Sequence, residues 1–315
     1  MISLAILVAL VIGLLLAVPG LHGVAREVTH MAVPLVLAAI GLEVLSCVCY
    51  VIAFLQVFER APIRLGARVA LSELAFGAAV SVGGAGSVAV GAWLLVERGA
   101  NPGRVAERSA VLFLLTSAVN VITLAAVGLA TWTGILPGSH KTWLTLLPGA
   151  VGVVVFVAFL ALPRFVDRLV GDRTGGRAVT LLRGTAESVR DTATILLRPD
   201  WRLIGAFGYL WFDIAVLELC FRAAGGSPPL STLVLAYQIG YLSNFLPIPG
   251  GVGVLDGSFV GMFVLYGVNA SMATAATVVY HAISLWVPAM WGTVAFLLLR
   301  RSRGQPLRLR EPRRS

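Results

Sequence analysis

Charged residues are scarce in this chain. Only 12% of its 315 residues are Asp, Glu, Lys or Arg, whereas 58% are hydrophobic, and the mean hydropathy is +0.91. This balance is typical of integral membrane proteins and excludes an ordinary soluble globular protein. The longest polar stretch, 164–199, is too short for a separate soluble domain. We therefore expect one membrane domain over residues 1–315.

Cysteines are also few. The three cysteines, Cys47, Cys49 and Cys220, stand in apolar runs. Cys47 and Cys49 are two residues apart, so on a helix they point in different directions and make a poor metal-binding pair. We interpret all three as packing residues and expect neither a metal nor a cofactor.

The first apolar run, 2–19, lacks the positive start of a signal peptide, so we expect a retained helix.

The apolar runs predict an all-α membrane protein. A helix needs about 20 residues to cross a hydrocarbon core of about 30 Å. Six runs have about that length, near 2–19, 31–57, 108–131, 143–163, 201–222 and 271–299. Two further runs, 69–96 and 230–267, are interrupted by glycines and fit either re-entrant hairpins or pairs of short complete crossings. Either alternative returns the chain to the side of the membrane that it left.

The arginines predict the orientation in the membrane. Four segments contain all but three of the 24 Lys and Arg residues, namely 58–68, 97–108, 164–202 and the tail from residue 300. The exceptions are Arg26, Lys141 and Arg222. Basic residues concentrate on the cytoplasmic side of membrane proteins. We therefore predict a multi-pass protein of the inner membrane with both termini in the cytoplasm.

The formal net charge of +9 has the same explanation. A basic chain can bind nucleic acid, but here the arginines flank apolar spans, so we expect no nucleic-acid partner. The expected partners are membrane lipids, with anionic headgroups of the inner leaflet contributing about 1 kcal/mol per basic residue near the surface. Residues 178–197 place apolar side chains at three- and four-residue steps. This pattern fits a helix along the inner surface or a mere connector.

The second interrupted run contains the sequence Pro247-Ile248-Pro249-Gly250-Gly251-Val252-Gly253. A helix cannot continue through it, because the prolines remove amide donors and the glycines favour non-helical backbone. An unpaired backbone group is costly in hydrocarbon, so such a break persists only where protein or water lines it. The alternatives are a plain loop between two complete helices and a hairpin whose broken tip forms a binding site within the membrane.

The first interrupted run repeats the pattern as Ser81-Val82-Gly83-Gly84-Ala85-Gly86-Ser87. Downstream of the two breaks come Gly99-Ala100-Asn101-Pro102 and Gly267-Val268-Asn269-Ala270, in which Gly can end one helix and Asn can cap the next. We predict an internal repeat of 31–131 and 201–299, joined by the span 143–163 and the segment 164–199 and followed by the basic tail 300–315. The arginines place the two hairpins on opposite sides, which makes the repeat inverted, as in many secondary transporters.

Polar side chains within the predicted spans need an explanation, since a charge at a helix centre costs at least about 2.5–3.5 kcal/mol. Glu218 and Arg222 are four residues apart and fit a structural ion pair. Asp256 follows the break, where a helix N-terminus stabilises an anion. The other polar side chains are Glu43, Glu73, Asn120, Asp213, Gln238, Asn244 and His281. They are either hydrogen-bonded packing groups, with the carboxyls protonated, or members of a shared site for a cationic headgroup or a proton.

The segment Phe245 to Gly253, followed by Asp256, resembles the Pro-Gly-Gly-x-Gly signature of the lysylphosphatidylglycerol-synthase transmembrane family. This family includes the flippase-like membrane domain of multiple peptide resistance factors and many stand-alone bacterial proteins. The resemblance covers residues 31–299 and implies a helical fold with re-entrant segments that moves phospholipid or lipid-linked headgroups between leaflets. The aminoacyl-transferring domain is absent from these residues, and the first hairpin lacks the Pro-Gly-x-x-Gly-Glu-x-x-Arg pattern of many relatives. We therefore do not expect synthase activity.

The leading hypothesis is a lipid translocator and not an enzyme. We predict that the headgroup is bound by Pro249, Gly250, Gly251, Gly253, Asp256, Asn244, Gln238, Gly83, Gly84, Gly86 and Glu73. A proton or cation site is predicted at Glu43, Asp213 and His281. One alternative is a membrane-embedded lipid-modifying transferase, which needs a nucleophile or a general base with an orienting partner. The other is a non-transporting accessory subunit.

Overall fold

A computed structural model describes residues 31–81, 85–139, 141–171, 176–242, 248–249 and 254–301. In chain order its elements are α1 (Val33–Val57), α2 (Ile63–Ala79), β1 (Val80–Ser81), α3 (Ala85–Val96), α4 (Pro102–Trp132), α5 (Thr142–Val170), α6 (Arg177–Leu197), α7 (Leu203–Ala223), α8 (Leu230–Gly240), β2 (Ile248–Pro249), α9 (Val254–Leu265) and α10 (Ala270–Arg301). Helices dominate the described residues, and the predicted all-α membrane fold is confirmed.

Five of these helices are long and apolar enough to cross a membrane. They are α1, α4, α5, α7 and α10, with 21 to 32 residues each. At a rise of about 1.5 Å per residue, each measures about 30 Å or more. They coincide with five of the six predicted spans. The sixth predicted span, 2–19, lies outside the described residues.

Glycine and asparagine end and begin helices at the predicted positions. Gly99 and Gly267 have φ angles of 87° and 89°, the left-handed conformation that ends many helices. The side chains of Asn101 and Asn269 each accept a hydrogen bond from the backbone amide three residues further on, at 3.1 and 3.3 Å. Both predicted N-caps are therefore confirmed.

Both glycine-interrupted runs are broken helices. The first run is divided into α2 and α3, and the second into α8 and α9. α3, α8 and α9 have 12, 11 and 12 residues, and a 12-residue helix is about 18 Å long, well below the thickness of the hydrocarbon core. β1 and β2 form an antiparallel pair in which Ser81 lies opposite Ile248 and Val80 lies opposite Pro249. The two breaks therefore meet.

Helices of the first half of the chain, α1–α4, are interleaved with helices of the second half, α7–α10. α2 packs against α10, α8 packs against α4, and α1 packs against α7. Glycines allow the closest approaches: Gly292 of α10 lies against the carbonyl of Leu71 on α2, and Gly205 of α7 lies against the backbone of α1 at Cys49. Each interrupted run is thus held by a long helix of the other half.

The helix predicted in segment 178–197 is present as α6, and it packs against α4 and α5. Ala186, on its predicted apolar face, is 1% exposed. Two ion pairs, Arg108–Asp191 and Arg190–Asp167, link α6 to the same two helices. Its apolar face therefore contacts protein.

Candidate functional site

A cavity of about 380 Å³ lies between the two halves of the chain. Side chains of α1, α2, α3, α4, α7, α8 and α10 line it, so long helices and broken helices both contribute. Its polar lining residues are Glu43, Tyr50, Glu73, Ser87, Thr116, Ser117, Asn120, Tyr209, Asp213, Gln238, Tyr241, Tyr280, His281 and Ser284. Among the described lining residues there is no Lys or Arg. The cavity is therefore acidic and rich in hydroxyl groups.

Five of the predicted site residues meet in this cavity: Glu43, Glu73, Asp213, Gln238 and His281. They belong to α1, α2, α7, α8 and α10, respectively. Helices that are far apart in the sequence therefore bring these side chains together. The sequence left open whether the carboxyl groups within the predicted spans face one cavity. Glu43, Glu73 and Asp213 do line the same cavity.

The remaining predicted residues lie at or beside the breaks. Pro249 is in β2, Gly86 is the second residue of α3, and Asp256 is the third residue of α9. Six others fall outside the described residues, namely Asn244, Gly83, Gly84, Gly250, Gly251 and Gly253. Glu218 and Arg222 form the predicted ion pair and do not line the cavity.

Asp213 is the centre of a hydrogen-bonded cluster. Its Oδ2 accepts hydrogen bonds from the hydroxyls of Tyr237 and of Tyr280, the latter at 2.9 Å. Glu43 of α1 lines the same cavity, and its carboxyl group is close enough to that of Asp213 for the two to interact electrostatically. α1, α7, α8 and α10 therefore converge on this pair of carboxyl groups, which we call the acid pair.

Two buried polar atoms of residues that line the cavity have no hydrogen-bond partner among the described residues. They are Oε2 of Glu43, whose residue is 4% exposed, and Nε2 of Gln238, whose residue is 8% exposed. An unpaired buried polar group costs about 1–3 kcal/mol. A ligand or a water molecule that supplies both a donor and an acceptor is therefore favoured here.

Glu73 is the most deeply buried of the three carboxyl residues, with 1% exposure. The hydroxyl of Tyr50 donates a hydrogen bond to its Oε2 at 2.8 Å. The carboxyl lies directly over Gly91 of α3, where a Cβ atom would collide with it. The second interrupted run contains a similar contact, but here the glycine is on the first helix and the large side chain is on the second. Phe259 of α9 lies over Gly240 of α8.

The tyrosines of the cavity were not predicted from the sequence. Four of the six tyrosines in the chain line the cavity, and a fifth, Tyr237, donates to Asp213. Tyr209 stands four residues before Asp213, and Tyr50 stands seven residues after Glu43. Both spacings place the tyrosine and the acid on one face of a helix. This spacing is the signal that could have found them.

The sequence matches a known family over nearly its whole length. The profile of the family described as "Lysylphosphatidylglycerol synthase TM region" matches residues 1–292. The matched range includes every residue that lines the cavity.

Three curated proteins of Methanothermobacter thermautotrophicus, each named "UPF0104 membrane protein", are similar to parts of the chain. One is 39% identical over 88 residues, which are 27% of this chain and 25% of that protein. Another is 27% identical over 172 residues, 48% of this chain and 51% of that protein. The third is 30% identical over 79 residues, 25% of this chain and 24% of that protein. The chain thus spans at most about half the length of these relatives.

Proposed function

This chain belongs to the lysylphosphatidylglycerol synthase transmembrane-region family, and we propose that it moves the headgroup of a phospholipid or another lipid between the leaflets of a membrane. The observation that carries the proposal is the polar cavity between two broken helices in an otherwise apolar helical protein. A headgroup cannot cross hydrocarbon without polar partners, and the cavity supplies them.

The pairing of the breaks supports an inverted repeat. Ser81 and Ile248 each stand two residues before the first glycine of their break, and they lie opposite each other in the β1–β2 pair. A residue faces its own equivalent in an antiparallel pair when a two-fold axis passes between them. The packing of α2 on α10 and of α8 on α4 fits the same axis. We infer that 31–131 and 201–299 are related by this axis.

The exchanged glycine contacts support the same repeat. Glu73 and Gly240 each stand ten residues before the first glycine of their break. Gly91 and Phe259 each stand eight residues before the glycine that ends their helix. The two contacts are therefore equivalent, with a large side chain on the first arm in one half and on the second arm in the other.

We interpret both interrupted runs as re-entrant hairpins whose tips meet inside the membrane. Each run consists of two helical arms, α2 and α3 in the first and α8 and α9 in the second. Of these four arms, α3, α8 and α9 are too short to cross the membrane. The second arms, α3 and α9, begin at the breaks, and the backbone amides of a helix N-terminus can bind phosphate oxygens. Nε2 of Gln238 can donate to a headgroup oxygen, and the carboxyl groups can accept from an amine or hold a proton. The volume of about 380 Å³ falls within the range of small-molecule sites.

We place the protein in the inner membrane with both termini in the cytoplasm. The guanidinium of Arg98 donates to the carbonyl of Leu299 at 2.7 Å, so the loop after α3 and the end of α10 lie on one side. The amide of Ala32 donates to the carbonyl of Ala223 at 3.3 Å, which joins the start of α1 to the end of α7. The arginine-rich segments fall on the side of Arg98, which supports a cytoplasmic location for that side. These arginines would contact anionic headgroups of the inner leaflet.

Lipid sidedness in vesicles tests the proposal. The purified chain is reconstituted with phosphatidylethanolamine and phosphatidylglycerol, and a membrane-impermeant amine reagent counts the exposed ethanolamine headgroups over time. We expect faster exchange between leaflets than in protein-free vesicles and slower exchange with Asp213→Asn. Glu218→Gln, which changes an acid outside the cavity, serves as the control.

Three results would contradict the proposal. Unchanged sidedness of every bacterial lipid tried would exclude translocation. A new lipid product in the same vesicles would favour a transferase. Normal cellular function of Asp213→Asn and Glu73→Gln would favour a non-transporting accessory subunit.

A further inference from the structure

We propose that the acid pair, Glu43 and Asp213, shares a single proton, and that passage of a headgroup through the cavity is coupled to release of this proton. The coupling rests on the proposed translocation.

Two neighbouring carboxyl groups in one buried cavity are stabilised by a proton between them. An ionised carboxylate only accepts hydrogen bonds, so Glu43 and Asp213 can bond to each other only when one of them is protonated. Among the described residues that line the cavity, no Lys or Arg is present to compensate a second negative charge. The pair therefore holds at least one proton.

The tyrosines determine which carboxyl group carries that proton. Hydrogen bonds from Tyr237 and Tyr280 to Oδ2 stabilise Asp213 in its ionised form. Oε2 of Glu43 receives no such bond from the described residues. The proton therefore resides on Glu43 and is donated to Asp213. Glu73 is a separate group, because it accepts the hydroxyl of Tyr50 instead.

Other titratable groups surround the acid pair. Cys47 of α1 and Tyr209 of α7 interact electrostatically with it, but thiols and phenols are ordinarily neutral near pH 7. Tyr241, directly after α8, lines the same cavity and is neutral for the same reason. His281 of α10 also lines the cavity, and a positive charge on it would favour loss of the shared proton. His281→Gln is therefore included in the test.

The acid pair lies where its proton can control the contact between the two halves. Glu43 is on α1 and Asp213 is on α7, and these helices pack against each other. On release, the O–H bond of Glu43 breaks, the proton passes to a water molecule that enters the cavity, and both carboxyl groups become negative. Their repulsion favours separation of α1 and α7, and proton binding restores the contact. Alternation between two such arrangements is what headgroup passage requires.

Infrared spectroscopy of the full-length chain in lipid nanodiscs tests the shared proton without any transport. We expect the difference between the wild-type and Glu43→Gln spectra at neutral pH to show the C=O stretch of a protonated carboxyl group. Asp213→Asn should shift this band, because the acceptor changes from a carboxylate to an amide. Glu73→Gln and His281→Gln should leave a Glu43 band at neutral pH. Absence of a Glu43 band, or a band that Asp213→Asn does not move, would overturn the proposal.

The vesicle experiment with an imposed pH gradient tests the coupling. We expect the rate of ethanolamine exposure in wild type to change several-fold when the gradient is reversed. In Glu43→Gln the ratio of the two rates should fall to one, whereas Glu218→Gln should keep the wild-type ratio. Equal wild-type rates in both directions would overturn the coupling and leave translocation intact. No exposure in either direction would refute the translocation and the coupling with it, and the infrared band would still decide whether the proton is shared.

Discussion

Gly91→Ala places a methyl group where the Glu73 carboxyl lies. Glu73 is 1% exposed and has little room to move, and a shift lengthens its 2.8 Å hydrogen bond from Tyr50. Overpacking costs about 1–3 kcal/mol, and a hydrogen bond between neutral groups contributes about 0.5–1.5 kcal/mol. Ala gains up to about 1 kcal/mol over Gly in a helix. We therefore expect a net loss of about 2 kcal/mol in unfolding free energy.

Thermal unfolding of the purified chain in detergent, followed by tryptophan fluorescence, measures this loss. Gly41→Ala is the matched control, because a Cβ atom at Gly41 of α1 has no neighbour within 4 Å. Its stability should stay the same or rise by up to about 1 kcal/mol.

A double-mutant cycle separates the Gly91 contact from a general helix effect. Adding Glu73→Ala to Gly91→Ala should recover part of the loss, because the colliding carboxyl is removed. The contact of Phe259 with Gly240 should behave in the same way. Gly240→Ala should destabilise the protein, and adding Phe259→Ala should reduce that loss. If Gly91→Ala is as stable as Gly41→Ala, or if the double variant loses the sum of both single losses, the contact does not exist.

Two further predictions concern the helix interface and the cavity. Gly292→Ala should cost about 1–3 kcal/mol in unfolding free energy, because the new methyl group meets the carbonyl of Leu71, which cannot rotate away; Gly261→Ala has no neighbour within 4 Å and should not destabilise the protein. Tyr280→Phe removes one of the two hydroxyls that donate to the ionised Asp213, so we expect a loss of about 1.5–3 kcal/mol in unfolding free energy and slower headgroup exchange in vesicles; unchanged exchange would argue against a role for this hydroxyl.

Hydropathy and helix-capping patterns predicted the individual helices well. The long apolar runs became α1, α4, α5, α7 and α10, because an apolar stretch of this length determines a membrane helix largely by itself. The caps at Asn101 and Asn269 were equally predictable, since an N-cap depends on residues within one helical turn.

The cavity depended on packing that the sequence does not show. The membrane carboxyls were recognisable because polar groups in apolar runs are rare, but only the interleaving of the halves brings Glu43 to Asp213. The tyrosines escaped notice because their apolar rings fit a hydrophobic run. The contact of Glu73 with Gly91 was also invisible, since a glycine in a helix gives no sign of which side chain lies over it.

Disulfide cross-linking between Ser81→Cys and Ile248→Cys tests most directly whether the two breaks meet. Opposed residues of an antiparallel pair have Cα atoms about 4.5–5.5 Å apart, within the disulfide range of about 4.4–6.8 Å. The native cysteines Cys47, Cys49 and Cys220 are buried and free, and they are first replaced by alanine. Pairing Ser81→Cys with Ser271→Cys, at the start of α10, provides the control.

We predict rapid disulfide formation under mild oxidation in the 81–248 pair and little in the control. No disulfide at 81–248, or equal yields in both pairs, would contradict the meeting of the two broken helices.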